Sequence, residues 1–166
     1  MNDNWTEQAR RFVSVLPHCR LLDMSVELAS ATELHMRLPY SDALIGNPDN
    51  GVLAGGCLTT LMDTSCGTAV FVALECNEVC PTLDLRVDYM RSATPGKDII
   101  AVARVIRITA SVVFTRCDLY EDTTAAEADV AKLEDDSDKA PKLVATCTAA
   151  FMRIGQHLDR SKANAK

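Results

Sequence analysis

A single carboxylate stands in the most apolar long stretch of the chain. The stretch, GVLAGGCLTTLMDTSCGTAVFVAL, covers residues 51–74, and Asp63 is its only charged residue. A buried carboxylate without a partner is costly in free energy, or becomes protonated instead. Two interpretations follow: Asp63 hydrogen-bonds to nearby hydroxyls, for which Thr59, Thr60 and Thr64 are available, or its placement is part of a catalytic mechanism.

Two glycines, Gly55 and Gly56, lie where the preceding loop enters this stretch. The first backbone N–H groups of a helix have no partner within the helix, and the helix dipole makes that end partly positive. Because glycine has no side chain, a ligand can approach these N–H groups closely. The pair therefore predicts a position where a carbonyl oxygen, or an oxyanion formed from it, is held.

Asp63 follows Gly55 by eight residues, which is roughly 12 Å along a helix. One helix cannot bring both groups to the same small carbonyl. Two such helices packed side by side in opposite directions in a symmetric dimer can, because the glycine end of one then faces the aspartate of the other. The spacing predicts a homodimer with two identical sites at the subunit interface.

The elements that must position these groups are indicated by hydrophobic periodicity. The apolar stretch predicts a central helix from Gly55 or Gly56 to Leu74, hydrophobic or small on nearly every face. A first helix is predicted over 4–16, with Pro17 as its stop. Alternating apolar residues predict a hairpin and four further strands. The predicted strands cover about 19–29, 32–39, 82–90, 98–108, 110–121 and 142–154.

This order predicts an α+β fold in which a curved antiparallel sheet wraps around one central helix. A second copy of the chain is the natural cover for the open side of the helix. We expect an N-terminal helix within residues 1–17, one domain over 18–156 and a polar tail over 157–166. The acidic segment at about 122–141 is too polar to pack and is expected to be an exposed hairpin insert.

Residues 45–154 resemble the PaaI-like group of hotdog-fold acyl-CoA thioesterases. The resemblance is carried by GNPDNGVLAGGCLTTLMDTSCG, by TLDLRVDYMRSA and by TPG, and the strand order agrees. Relatives have a histidine where this chain has Ala54. In RITAS (107–111), many of them carry a glycine and a basic residue. The resemblance implies the hotdog fold and hydrolysis of an acyl-CoA to free acid and thiol.

By the same resemblance, Asp63 is the catalytic carboxylate, acting as a general base on water or as a nucleophile that forms an anhydride. The N–H of Gly55, helped by Gly56, polarises the thioester carbonyl, and Asn47 helps to position the lytic water or that carbonyl.

Two further site residues are implied. Thr82 contacts water or the Asp63 of the other subunit, and Arg91 contacts the phosphates of coenzyme A. Partners are then an acyl-CoA or related thioester and further copies of the chain, as a homodimer that pairs into a dimer of dimers. The main alternative is a hotdog protein that binds acyl-CoA without turnover, because Ala54 replaces the usual histidine. A purely structural role and a dehydratase activity are weaker alternatives, since a hotdog dehydratase needs a histidine near the helix.

Composition excludes several other classes. The formal net charge of −6 and the absence of basic clusters argue against nucleic acid and anionic membranes as partners. Asp63 interrupts the one candidate for a membrane span. The seven cysteines, with no secretion signal ahead of them, predict reduced thiols in the cytoplasm. Cys76 and Cys80 lack a second pair of ligands, so neither a metal nor a cofactor is expected.

Overall fold

The computed structural model describes residues 3–75, 78–122 and 142–154. These residues contain three α-helices, α1 (Asp3–Ser14), α2 (Pro17–Leu21) and α3 (Gly55–Ala73), and a short 3-10 helix at Asp42–Leu44. They also contain eight strands: β1 (Ser25–Ala29), β2 (Glu33–Leu38), β3 (Ile45–Asn47), β4 (Val52–Leu53), β5 (Thr82–Tyr89), β6 (Ile99–Ile108), β7 (Val112–Glu121) and β8 (Leu143–Met152). The predicted acidic insert and polar tail lie almost wholly outside the described residues.

The fold is built on one large β-sheet. Within the described residues six strands form an antiparallel sheet in the order β1-β2-β6-β7-β8-β5, while β3 and β4 form a separate small pair. Leu61, Met62 and Val70 of α3 are fully buried against this sheet, together with Leu34 and Phe151 of its strands. The predicted α+β hotdog architecture, with one long helix against an antiparallel sheet, is confirmed.

The beginning of the predicted first strand is wrong. The sequence pattern predicted a strand over 19–29, but the chain forms α2 from Pro17 and enters β1 only at Ser25. Proline is favoured in the first turn of a helix, where its missing N–H is not needed. Pro17 therefore ends α1 and also begins a second, one-turn helix, which buries Cys19.

The central helix is less uniformly enclosed than its sequence suggests. Its core-facing side is buried, whereas Gly55 and Gly56 are exposed and Thr60, Asp63 and Gly67 are half-buried. Gly56, Thr60, Asp63 and Gly67 recur every three or four positions and so lie along one side of α3. Within a single chain, the helix therefore has one open stripe of small and polar residues.

The two edges of the sheet differ. The β1 edge is covered by α1, whose Arg10 Nε donates to the Val26 carbonyl at 3.0 Å and whose Thr6 hydroxyl contacts the backbone of Ala29. The β5 edge pairs with β8 on one side and has no other described strand beside it. Leu83 in β5 is 55% exposed. None of the helices in the described residues is long and apolar enough to cross a membrane.

Candidate active site

Asp63 has a hydroxyl partner from a different element. Thr82, the first residue of β5, donates from Oγ1 to Oδ1 of Asp63 at 2.8 Å. The hydroxyls of Thr59 and Thr60 donate instead to the carbonyls of Gly55 and Gly56 in their own helix. The carboxylate is therefore oriented by a residue of another element, β5. Asp63 itself lies in the open stripe of α3.

This contact differs from the expectation that Thr82 meets water or the Asp63 of another subunit. The hydrogen bond lies within one chain. The reason is topological: after α3 ends at Ala73, the chain turns back and enters β5 beside the middle of the same helix.

The glycine end of α3 is open. Ala54 occupies the N-cap in an extended conformation and offers no side-chain oxygen to the first helical N–H groups. Among the described residues, no oxygen accepts a hydrogen bond from the N–H of Gly55 or Gly56. A Cβ added at Gly56 would meet no heavy atom within 4 Å. The partly positive end of the helix is therefore accessible to a carbonyl oxygen.

The loop before this tip is tightly packed. The Ala54 N–H donates to the Leu44 carbonyl at 2.8 Å. A Cβ added at Gly46 would lie 2.7 Å from the Ala54 Cα, so this close approach requires glycine at 46. The loop thus sets where α3 begins.

Tyr89 contacts the tip, and sequence reasoning missed this role. Its hydroxyl lies 2.9 Å from the Gly55 carbonyl oxygen and 2.6 Å from Thr59 Oγ1. A Cβ added at Gly55 would come within 3.1 Å of the same hydroxyl. The strand alternation predicted an apolar face for Tyr89, and only the packing of the end of β5 against the start of α3 reveals its polar contact.

Asn47 is exposed at the end of β3, where the turn toward β4 begins. Its side-chain oxygen accepts from the Asp49 N–H at 3.1 Å, and its carbonyl accepts from the N–H groups of Asn50 and Gly51. These bonds shape the turn. Its role toward water or substrate stays a prediction.

Arg91 is anchored within the chain. Its Nη2 lies 2.7 Å from Glu121 Oε1, and other guanidinium nitrogens donate to the carbonyls of Leu143 and Ser92. Burial alone raises the pKa of Glu121, but the Thr94 N–H and the Arg91 guanidinium outweigh it and hold that pKa below its ordinary value. Arg91 also lines a cavity that includes Gly55. Its phosphate-binding role stays a prediction.

The glycine tip and the carboxylate open onto different cavities. One cavity of about 340 Å³ is lined by Gly55, Leu58, Tyr89 and Arg91 among others. A second, of about 180 Å³, is lined by Asp63 and three threonines, Thr64, Thr68 and Thr82, together with apolar residues. Neither lining contains both groups, which agrees with their calculated separation along the helix.

Three buried thiols form a cluster in the core. The Sγ atoms of Cys66, Cys117 and Cys147 lie within 4.8 Å of one another. The neighbouring thiols of Cys147 and Cys66, together with burial, raise the pKa of Cys117. All three cysteines are buried in the core, where free cysteines behave as small apolar side chains, so packing is the favoured role of the cluster. The predicted burial is confirmed for Cys57 and these three cysteines, whereas their reduced state stays a prediction.

Comparisons with known proteins agree with this geometry. A family model described as the thioesterase superfamily matches residues 50–128. A curated protein of Halobacterium salinarum, named as a candidate esterase, is 35% identical over 133 residues, covering 78% of this chain and 80% of that protein.

Solved structures of similar proteins also match this chain over most of its length. A crystal structure of a Pseudomonas aeruginosa protein is 45% identical with a TM-score of 0.72, covering 90% of this chain and 99% of that one. A Ralstonia eutropha protein, named as a candidate thioesterase related to phenylacetic acid degradation, is 25% identical with a TM-score of 0.65, covering 87% and 98%. The chain therefore belongs to the thioesterase superfamily, and this membership supports hydrolysis of a thioester as its general activity.

Proposed function

We propose that the protein hydrolyses an acyl-CoA thioester to a free acid and coenzyme A, with Asp63 as the catalytic carboxylate. The observation that carries the proposal is the position of Asp63. It is half-buried on the open side of the central helix, oriented by Thr82, and it lines a cavity with apolar walls. An oriented carboxylate beside an apolar binding cavity is suited to activate water or to attack a carbonyl.

The reaction follows from these groups. As a general base, Asp63 takes a proton from water while the water oxygen attacks the thioester carbon. The carbonyl oxygen becomes an oxyanion, which the N–H of Gly55, with that of Gly56, stabilises. The C–S bond then breaks, the thiolate leaves and takes up the proton, and the acid is released. As a nucleophile, Asp63 would instead displace the thiolate to form an anhydride, which water then hydrolyses.

A homodimer is part of this proposal. The open stripe of α3 contains glycine and threonine, and small residues let two helices approach closely. The edge of β5 that has no described strand beside it exposes Leu83 and Tyr89, and such an edge favours pairing with another strand. Antiparallel α3 helices in the dimer would bring the Gly55 tip of one subunit to the Asp63 of the other.

A second apolar surface supports further assembly into a dimer of dimers. Phe114 and Met152 are exposed, and strand register makes them diagonal neighbours on one face of β7 and β8, because Phe114 pairs with Ala150 and Val112 with Met152. Neighbouring exposed apolar side chains of this kind are typical of interfaces.

The cavity at the glycine tip is the proposed site for the phosphates of coenzyme A. Arg91 lines that cavity, and a guanidinium binds phosphate well. We propose that the phosphates of coenzyme A contact Arg91 while the thioester lies against Gly55.

The first prediction concerns Asp63. With a panel of acyl-CoA esters and a thiol reagent, the wild-type protein should release coenzyme A. Asp63→Asn keeps the size and polarity of the side chain but removes its basicity, and should lower kcat by roughly 10²–10⁴-fold. Asp42→Asn, at the exposed start of the 3-10 helix, is the matched control and should retain wild-type activity. Full activity in a folded Asp63→Asn variant would rule out the assignment.

The second candidate function is acyl-CoA binding without turnover, favoured by the missing side-chain acceptor at Ala54. The same panel decides between the two. Saturable binding of acyl-CoA by calorimetry, with no coenzyme A released on long incubation, would establish the binding protein instead of the enzyme.

A further inference from the structure

The cavity beside Asp63 has the shape of a groove that follows α3. Its lining includes Asp63, Gly67 and Phe71 of the helix, at intervals of four residues. Such residues lie on one side of a helix, and eight residues span roughly 12 Å. The groove therefore leads from the carboxylate toward the C-terminal end of α3.

We propose that this groove holds the acyl group of the thioester and that Phe12 of helix α1, together with Leu16 in the turn after that helix, forms the wall that limits acyl length. The inference rests on the proposed thioesterase function and adds to it the determinant of acyl specificity.

Gly67 opens the middle of the groove. It lies one turn after Asp63, and its missing side chain leaves the groove unfilled. A Cβ added there would lie 3.4 Å from Phe151 Cε1, which is an ordinary contact. The fold would therefore tolerate alanine at 67, whereas the groove would become narrower. Phe151 is almost fully buried and contributes an apolar ring to the lining next to Gly67.

Phe12 closes the groove at its far end. Its ring stacks on Phe71 with centroids 4.4 Å apart and planes 18° from parallel. Leu16 follows Phe12 by four residues and also lines the groove. The wall is held in place because Thr6 and Arg10 of the same helix hydrogen-bond to the backbone of β1.

The size of the groove indicates a compact acyl group. Its volume is about 180 Å³. An apolar protein cavity of about 150 Å³ binds benzene. The buried Thr68 hydroxyl donates to the Thr64 carbonyl, so it is not directed at a ligand. The distal part of the groove is therefore suited to an apolar group not much larger than a benzene ring.

The proposed wall lies outside the part of the chain that the family model matches. That match covers residues 50–128, whereas Phe12 and Leu16 belong to the N-terminal segment. The residues that perform hydrolysis and those that select acyl length thus come from different parts of the chain.

The test uses straight-chain acyl-CoA esters from acetyl to palmitoyl as probes, with kcat/KM measured for each. Wild type should lose activity beyond the length at which the groove is full. Phe12→Ala should raise the ratio of kcat/KM for the first excluded ester to that for a short ester by roughly tenfold, the scale of one methylene in an apolar pocket. Gly67→Ala should change that ratio in the opposite direction, because the added methyl narrows the path.

The control is Val15→Ala, since Val15 is exposed and does not line the groove. Phe12→Leu serves as a second variant if Phe12→Ala does not fold by circular dichroism. An unchanged length profile in folded Phe12 variants would overturn the proposal, whether or not Gly67→Ala has an effect.

The result is distinguishable from failure of the proposed enzymatic function. If wild type releases no coenzyme A, the same acyl series is measured as binding affinity by calorimetry. Suppose that affinity falls beyond a certain acyl length in wild type and that Phe12→Ala binds longer esters. The proposed acyl pocket would then stand, although the thioesterase function would be ruled out. Equal affinity for all lengths in wild type and variant would overturn the pocket.

Discussion

At the residue scale, the contact between Thr82 and Asp63 explains how a carboxylate is accommodated in an apolar helix. The partner comes from β5 and not from the neighbouring threonines of α3, whose hydroxyls bond to their own helix backbone. A single hydroxyl donor orients one carboxylate oxygen and leaves the other without a described partner. Thr82 is therefore a positioning residue in the proposed reaction.

We predict that Thr82→Val lowers kcat by roughly tenfold or more with little change in KM, since a hydrogen bond to a charged group contributes about 1.5–3 kcal/mol. Thr82→Ser keeps a hydroxyl and should restore most of the rate. Steady-state kinetics on the best acyl-CoA ester measure both. Thr32→Val, at an exposed turn, is the control. Equal rates for the valine and serine variants would contradict the positioning role.

At the element scale, the ion pair between Arg91 and Glu121 joins the segment after β5 to the end of β7. Glu121 is almost fully buried, and it also accepts a hydrogen bond from the Thr94 N–H. The same arginine lines the cavity at the glycine tip. The pair therefore supports the fold and holds in place the residue that we propose as the phosphate ligand.

The lowered pKa of Glu121 makes this stabilisation depend on pH. A carboxyl whose pKa is lower in the folded protein stabilises it above its unfolded pKa and loses that effect as the pH falls through the folded value. We predict that Glu121→Gln lowers the free energy of unfolding by about 1–2 kcal/mol near pH 7. The difference from wild type should shrink below about pH 4.

Urea unfolding at pH 7, 5 and 3 measures this dependence. Glu7→Gln, an exposed position on α1, should show no such change with pH. A difference between wild type and Glu121→Gln that stays constant from pH 7 to pH 3 would contradict the assigned cause.

At the scale of the whole molecule, the separation of Gly55 and Asp63 decides how many chains make a site. The two residues are at different turns of one helix and line different cavities. A symmetric dimer resolves this if each site takes the helix tip from one subunit and the carboxylate from the other. The edge of β5 that has no strand beside it in the described part of the chain, and the open stripe of α3, are the surfaces available for it.

Complementation between two inactive variants tests this arrangement. Gly55→Pro removes the N–H at the first helical position, where proline is tolerated. Gly55→Ala adds the same contact to Tyr89 but keeps the N–H, and is its control. We predict that Gly55→Pro and Asp63→Asn are each inactive alone, whereas co-expression restores about a quarter of wild-type activity, because half of the dimers then contain one intact site. Sites contained within one chain would show no restoration.

Much of this protein followed from its sequence because the governing patterns are local. The apolar run predicts α3 and the alternating residues predict β5 to β8, since helix and strand periodicities are read from neighbouring residues. Chain order and the resemblance together predict the hotdog fold, and Asp63 is recognisable as the one charge in an apolar helix. The first strand is the exception, because Pro17 begins a one-turn helix whose periodicity is too short to detect.

The contacts between distant segments were decided only by the tertiary structure. The pairing of Thr82 with Asp63 inside one chain, the hydroxyl of Tyr89 at Gly55 and the stacking of Phe12 on Phe71 each join elements that are far apart in sequence. No periodicity encodes such contacts, since they depend on how strands and helices pack. The sequence therefore determined which chemical groups are present and on which elements, and packing determined which of them meet.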